Sequence, residues 1–194
     1  MLYALGLQPA ATQVTPAELE CMLVYARSKQ RLLEIGVYEG ASTMHLIGAA
    51  AADAHLYAVD PFLRGRLGIC WARGIALSQI AIGARSNAGV RVHVIEQYSH
   101  DAAASIEGTF DFMFIDADHS LAAIRQDWDD WSGRVREGGI IALHDTRVPA
   151  HNPSVAQLGS FQYFESTIRI DPRFDLLRQV DSLSVLQRRP LGTK

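Results

Sequence analysis

Short apolar runs alternate with longer amphipathic stretches along most of this chain. The segments 31–36 (RLLEIG), 55–60 (HLYAVD), 90–95 (VRVHVI) and 110–115 (FDFMFI) are short and mostly apolar, and three of them stop at Gly36, Asp60 or Asp116. Runs of this length, bounded by turn residues, read as strands. Between them lie stretches with helical spacing. Thr15-Pro16-Ala17-Glu18 is a helix start: Thr15 caps, Pro16 suits the first turn, and Glu18 completes a capping box. Leu19, Met22, Leu23 and Ala26 then share one face. Residues 40–52 predict a helix opened by a glycine turn. Residues 66–86 predict another, interrupted by Gly68, Gly74 and Gly83. The clearest helix is 119–135, where Leu121, Ile124, Trp128, Trp131 and Val135 form one apolar stripe. Gly138-Gly139 closes that unit, and Ile140–Leu143 is a fifth strand running into His144-Asp145. A helix over 155–168 and two strands, 174–180 and 183–186, complete the pattern, with Asp181-Ser182 as a hairpin turn.

Strands alternating with helices imply βαβ units and a parallel sheet, while the closing hairpin makes at least one strand antiparallel. The expectation is an α/β, Rossmann-like, doubly wound, mostly parallel seven-stranded sheet with a C-terminal antiparallel hairpin and helices on both faces. At 194 residues the chain has the length of one domain. Its expected parts are an N-terminal helical segment (1–30), a ligand-binding core (31–145) and a loop, helix and hairpin (146–194).

Composition narrows the function classes. A net charge of −3 and scattered Lys and Arg argue against a nucleic-acid partner or an anionic membrane surface. The apolar stretch 47–59 is broken by Asp53 and His55, so it is too polar for a membrane span. Met1–Ala11 lacks the basic start of a signal peptide. Cys21 and Cys70, each placed in a helix, match no metal or redox spacing and read as reduced, buried thiols. A cytoplasmic protein is expected, with helices apolar enough to leave room for a homodimer face.

The candidate chemistry sits at strand ends, where open α/β sheets bind ligands. Glu34, Asp60, Asp116 and Asp145 each end or closely follow an apolar run. In the first turn, Gly36 and Gly40 let the backbone bend and approach a ligand. Tyr38 stands where a dinucleotide motif would have its middle glycine, which disfavours a nicotinamide cofactor. Glu34, before that turn, sits badly beside a pyrophosphate and well beside a positive amino group. Asp60, about 20 residues on, suits the two hydroxyls of a ribose. Asp116 and Asp145 would end neighbouring strands about 4.8 Å apart, so their carboxylates converge. Two carboxylates plus water suit Mg²⁺, whereas His144 beside them suits Mn²⁺, Fe²⁺ or Zn²⁺. Without a metal, Asp145 would cap the following loop. His119 stands three residues after Asp116, and histidines exchange protons near neutral pH. Its alternative is a capping role near Ser120, and Asp118 either orients it or complements the helix N-terminus.

The segments LEIGVYEGAST (33–43), YAVDP (57–61), FDFMFIDADHS (110–120) and GGIIALHD (138–145) together resemble the class I S-adenosylmethionine-dependent methyltransferases. Within that family the sequence resembles the small bacterial methyltransferases around the cephalosporin hydroxylase and macrocin O-methyltransferase group. The resemblance spans about residues 15–188. It implies that Glu34, Gly36 and Ser42 hold the methionine part of the cofactor and Asp60 the ribose, with Tyr38, Gly40 and Asp116 among the contacts. The family's Gly-Asp-Ser near the end of the third strand, whose acid lies by the adenine, is replaced by Gln97-Tyr98-Ser99. Tyr98 or Ser99 is then expected at the adenine. In metal-dependent relatives the position of His144 often holds an acid.

The expected activity is methylation of a hydroxyl on a small molecule (a sugar, natural product or aromatic), with a divalent metal at Asp116, His144 and Asp145 assisting and His119 and Asp116 catalytic. Acceptor contacts are expected from Arg64, Arg66, Trp71, Arg147 and His151. The rival classes are a nicotinamide oxidoreductase, a non-catalytic nucleoside-binding module, and a metal-dependent hydroxylase or hydrolase.

Overall fold

The computed structural model describes residues 9–65, 68–190 and 192. Among them, seven strands form one sheet in the order β3-β2-β1-β4-β5-β7-β6. The strands are β1 (Arg31–Ile35), β2 (His55–Val59), β3 (Arg91–Ile95), β4 (Phe110–Ile115), β5 (Val135–Leu143), β6 (Phe174–Val180) and β7 (Leu183–Arg188). β1 to β5 run parallel, and β7 inserts antiparallel between β5 and β6. The strand order reverses between β1 and β4, which opens a crevice at their carboxyl ends.

Both faces of the sheet are covered, which is why the central strands β1 and β4 are mostly apolar and buried rather than alternating. Leu32, Leu56, Phe112, Phe114 and Ala142 pack with Met22, Leu46 and Ile47 on one face. That face holds α1 (Pro16–Ala26), α2 (Ala41–Ala49) and α3 (Trp71–Ser86). Leu33, Ile35, Met113, Ile115 and Ile141 point the other way, with Ile124, Trp128, Trp131 and Phe164. α4 (Ser99–Ser105), α5 (Leu121–Trp131) and α6 (Gly159–Ser166) cover that second face. None of the helices among the described residues is long and apolar enough to cross a membrane.

Several boundaries depart from the pattern. The helix expected over 119–135 is α5, shorter at both ends. Ser120 caps it by accepting from the Ala123 N–H at 3.2 Å, and residues 132–134 tighten into a 3₁₀ turn. Val135 belongs to β5, not to the helical stripe: an apolar residue four positions after Trp131 continues the helical period by coincidence. Gly138-Gly139 does not close the preceding unit. It lies inside β5, where pairing with β4 shifts between Phe110↔Val135 and Phe112↔Ile140, and Gly138 takes a positive φ of 69°. The helix expected over 66–86 begins at Trp71, which makes Cys70 its N-cap rather than a helical residue. Both cysteines are half-buried free thiols. The helix expected over 155–168 divides into a 3₁₀ turn (Pro153–Gln157), α6 and a second 3₁₀ turn (Ile168–Ile170). α4 has no counterpart in the sequence pattern, because its seven residues bury only Ala102 and Ala103 and show no large apolar stripe.

Candidate active site

The crevice at the strand order reversal is a cavity of about 620 Å³. The glycine turn forms one wall. Gly36 has φ +90°, and a Cβ there would lie 1.9 Å from the Asp116 carbonyl oxygen, so β1 and β4 can approach only with glycine at this position. Tyr38 is held in the left-handed region at φ 51°. Asp60 pins that conformation: one carboxylate oxygen accepts from the N–H groups of Val37 (3.0 Å) and Tyr38 (2.9 Å), the other from Phe62 (2.7 Å). Phe62 and Asp145 also have positive φ, 43° and 51°. Three strained non-glycine residues thus gather at the strand ends, as expected where a ligand site over-determines the backbone.

Gly36, Tyr38, Ser42, Asp60, Tyr98, Ser99, Asp116 and His119 all line this cavity. Glu34 and Gly40 do not. Glu34 is fully buried beneath the turn, and both its oxygens take hydroxyl bonds, from Ser42 Oγ (2.5 Å) and Thr43 Oγ1 (2.6 Å). Burial pushes its carboxyl up to about 7 against those two bonds, with the charges of Asp116 and Asp60 adding to the rise. Gly40 caps α2 with φ 77° and packs on Ala76. Ser99 accepts from Trp131 Nε1 at 2.8 Å, while Tyr98 is 58% exposed at the mouth.

Asp116 and Asp145 do converge, because β4 and β5 are neighbours with Ile115 opposite Leu143. Asp116, His144 and Asp145 each offer a ligand atom within 4.8 Å of one another. His144 Nδ1 lies 3.2 Å from Asp116 Oδ1 and 3.5 Å from Asp145 Oδ2. These separations are short, yet the ring N–H direction meets neither oxygen, so Nδ1 is a buried nitrogen without a hydrogen bond. On the other side of the ring, Nε2 is 3.2 Å from Glu18 Oε2. Burial would lower the imidazole, but Asp116, Asp145 and Glu18 outweigh it and push His144 up to about 12. His119 Nε2 approaches Asp145 Oδ2 at 3.4 Å. Asp118 does not orient His119; its carboxylate accepts from the Ser120 N–H at 2.7 Å, at the helix start.

Two residues were not expected near the site from the sequence. Glu18 forms the expected capping box with Thr15 and also accepts from Ser182 N–H and Oγ, each at 2.7 Å, in the β6–β7 turn. Those bonds and that from His144 overcome burial and bring its carboxyl down to about 2. Asp127 lies in the cavity wall. The available signal was positional: each acid falls on the buried face of its helix, Glu18 four residues before Met22 and Asp127 three after Ile124. A second cavity of about 330 Å³, lined by Gln13, His144, Asp145, His151, Asn152 and Ser182 among others, lies beside the first and shares Gln13 with it. Of the expected acceptor contacts among the described residues, only His151 lines either cavity. Arg64, Trp71 and Arg147 are exposed and line neither, and Arg66 lies outside the described residues.

A strand-end crevice with a glycine turn, a pinned acid after β2 and clustered acids after β4 and β5 defines a Rossmann-like ligand-binding enzyme domain. The family model described as "Methyltransferase domain" matches residues 33–146, more than half of the chain, and the chain belongs to that family. No curated protein matches it. Among solved structures, it is similar to the SAH-bound methyltransferase PaMTH1 of Podospora anserina, at 21% identity over 89% of this chain and 78% of that one, with TM-score 0.64. It is also similar to the O-methyltransferase TomG of Streptomyces achromogenes in complex with SAM: 17% identity, 97% and 86% covered, TM-score 0.64. An O-methyltransferase from Bacillus cereus in complex with SAH gives 21% identity, 96% and 86% covered, and TM-score 0.62.

Proposed function

We propose that this protein is an S-adenosylmethionine-dependent O-methyltransferase acting on a small-molecule hydroxyl, with a divalent cation assisting. The observation that carries the reading is that the donor-type cavity and the Asp116–His144–Asp145 cluster meet at one sheet edge, with Asp116 belonging to both. The cofactor supplies an electrophilic methyl group. Gly36 and the Val37–Tyr38 turn leave room for its amino-acid portion, Ser42 faces that portion, and Glu34 acts from beneath through the Ser42 hydroxyl. Asp60 keeps lone pairs for ribose hydroxyls beyond its three backbone bonds.

The residues present fit a cation: two carboxylates and one imidazole nitrogen converge, that nitrogen is buried and unbonded, and it would ligate an ion that displaces the proton the surrounding acids hold there. Such a mixed N/O set suits Mn²⁺, Fe²⁺ or Zn²⁺ better than Mg²⁺. A bound cation makes an acceptor hydroxyl easier to deprotonate. Glu18 orients His144 by accepting from Nε2–H, which leaves Nδ1 facing the carboxylates. His119, held near Asp145, receives the acceptor proton, and the paired cavities bring donor and acceptor into attack geometry. The acceptor occupies the second cavity, whose lining is polar apart from Pro149. Free Cys21 and Cys70 support a reducing, cytoplasmic setting.

Calorimetric titration with S-adenosylmethionine, S-adenosylhomocysteine and NADH, with and without Mn²⁺, tests this reading. Micromolar binding of both sulfur nucleosides and none of NADH is expected. No binding of either sulfur nucleoside removes the proposal.

A further inference from the structure

Resting on the cofactor reading above, we propose that Asp127 accepts the hydrogen bond of the adenine 6-amino group and so takes the part of the acid that Tyr98 replaces after β3. Adenine in a desolvated cavity presents two N–H donors, and leaving them unmet is costly. Tyr98 is a poor candidate for that acceptor, being 58% exposed at the mouth. Asp127, by contrast, is only 5% exposed and still lines the cavity, one turn beyond Ala123, which lines it too. The wall it belongs to is built by the start of α4 and by Ala123, Gln126 and Asp127 of α5, and the glycine turn lines the same cavity.

The local bonding prepares the carboxyl for an external donor. Trp131 Nε1 donates to Ser99 Oγ at 2.8 Å, and the Ser99 hydroxyl acts on Asp127 to favour its charged form. Among the described residues, no Lys or Arg lines this cavity. The nearby His100 is engaged by Asp130 at 2.9 Å. A buried carboxyl in a cavity wall with no described Lys or Arg retains acceptor capacity, and the adenine amine is the donor that cavity would bring to it. Burial pushes the Asp127 carboxyl up to about 6, against the Ser99 bond and with Asp130 and Asp118 adding to the rise. A hydrogen bond from the nucleobase would be one more reason for so buried an acid to persist.

The test compares binding of S-adenosylhomocysteine and S-inosylhomocysteine, in which a carbonyl replaces the 6-amino group, by calorimetry on the full chain. Wild type is expected to prefer the adenine form by at least tenfold. Asp127→Asn, whose amide can donate to the carbonyl, is expected to weaken the adenine form about tenfold and bring the two ligands within a few-fold of each other. Equal affinity of wild type for both ligands overturns the assignment without any variant. So does an Asp127→Asn protein of wild-type melting temperature that keeps wild-type discrimination. Wild type that binds neither nucleoside removes the donor site itself, a different failure.

Discussion

Asp111 and Asp116 stand five residues apart at opposite ends of β4, and their surroundings have nothing in common. Asp111 accepts from the Gln30 and Arg31 N–H groups at 2.8 and 3.3 Å and pairs with Arg136 at 2.9 Å. Every one of those partners is a donor, and no described cavity touches the residue. Asp116 faces a cavity, shares its nearest imidazole with Asp145, and has another acid rather than an arginine beside it. The same side chain is a staple where donors are supplied and is left open to a ligand where they are withheld. What marks the functional end of this sheet is therefore an unbalanced donor and acceptor count, together with strained backbone at Tyr38, Phe62 and Asp145.

Exchanging the two acids should separate these roles. Asp116→Asn should lower kcat by about 100- to 1000-fold, the scale of losing one preorganised electrostatic group, while nucleoside affinity stays within a few-fold. Steady-state kinetics beside calorimetry measures both, and unchanged turnover would remove Asp116 from the mechanism. Glu18 probes the layer behind the site. Glu18→Gln keeps the capping geometry but weakens the acceptor for His144, so Mn²⁺ affinity by EPR titration should fall about 10- to 100-fold. Thr15→Ala, which loses the cap and keeps the carboxylate, should bind Mn²⁺ as wild type does; an equal loss in both variants would make the effect one of helix stability.

Glu34 supplies a pH test. Its folded carboxyl titrates near 7, above the ordinary value of 4.5, so between those pH values the folded chain holds a proton that the unfolded chain has released. Stability should consequently fall as pH rises from about 4.5 to 7, by roughly 3 kcal/mol if this group acts alone. Glu34→Gln should flatten that slope in denaturant unfolding at pH 5 and pH 8, and an unaltered slope would place its origin elsewhere. The smallest effect belongs to Asp111→Asn, which should cost about 1 to 2 kcal/mol of stability and leave kcat and nucleoside affinity as they are. Loss of turnover in that variant, at wild-type stability, would break the distinction between the two ends.

Much of this architecture was legible in the chain. Short, mostly apolar runs such as Phe110–Ile115 read as strands covered on both faces, and the hairpin around Asp181-Ser182 was marked by its turn residues. The strand-end acids were legible for the same reason: a charge directly after such a run has to sit at a sheet edge. The pattern misled where helix and strand periods overlapped, as at Val135, and it was silent where small residues built a helix, as at Ser99–Ser105.

What the chain alone determined is local: period, capping, and which acids lie next to which apolar run. Only the tertiary structure decided which of them meet. It turned Glu34 inward onto two hydroxyls, although the sequence had put it at the ligand. It carried Glu18 across 126 positions to His144, and set Asp127 into the wall of the cavity that the glycine turn also lines. Local propensity acts through neighbours along the backbone, whereas these contacts arise from sheet order and helix packing. Residues far apart in sequence share a site because burying both faces of one sheet leaves the chain few other ways to close.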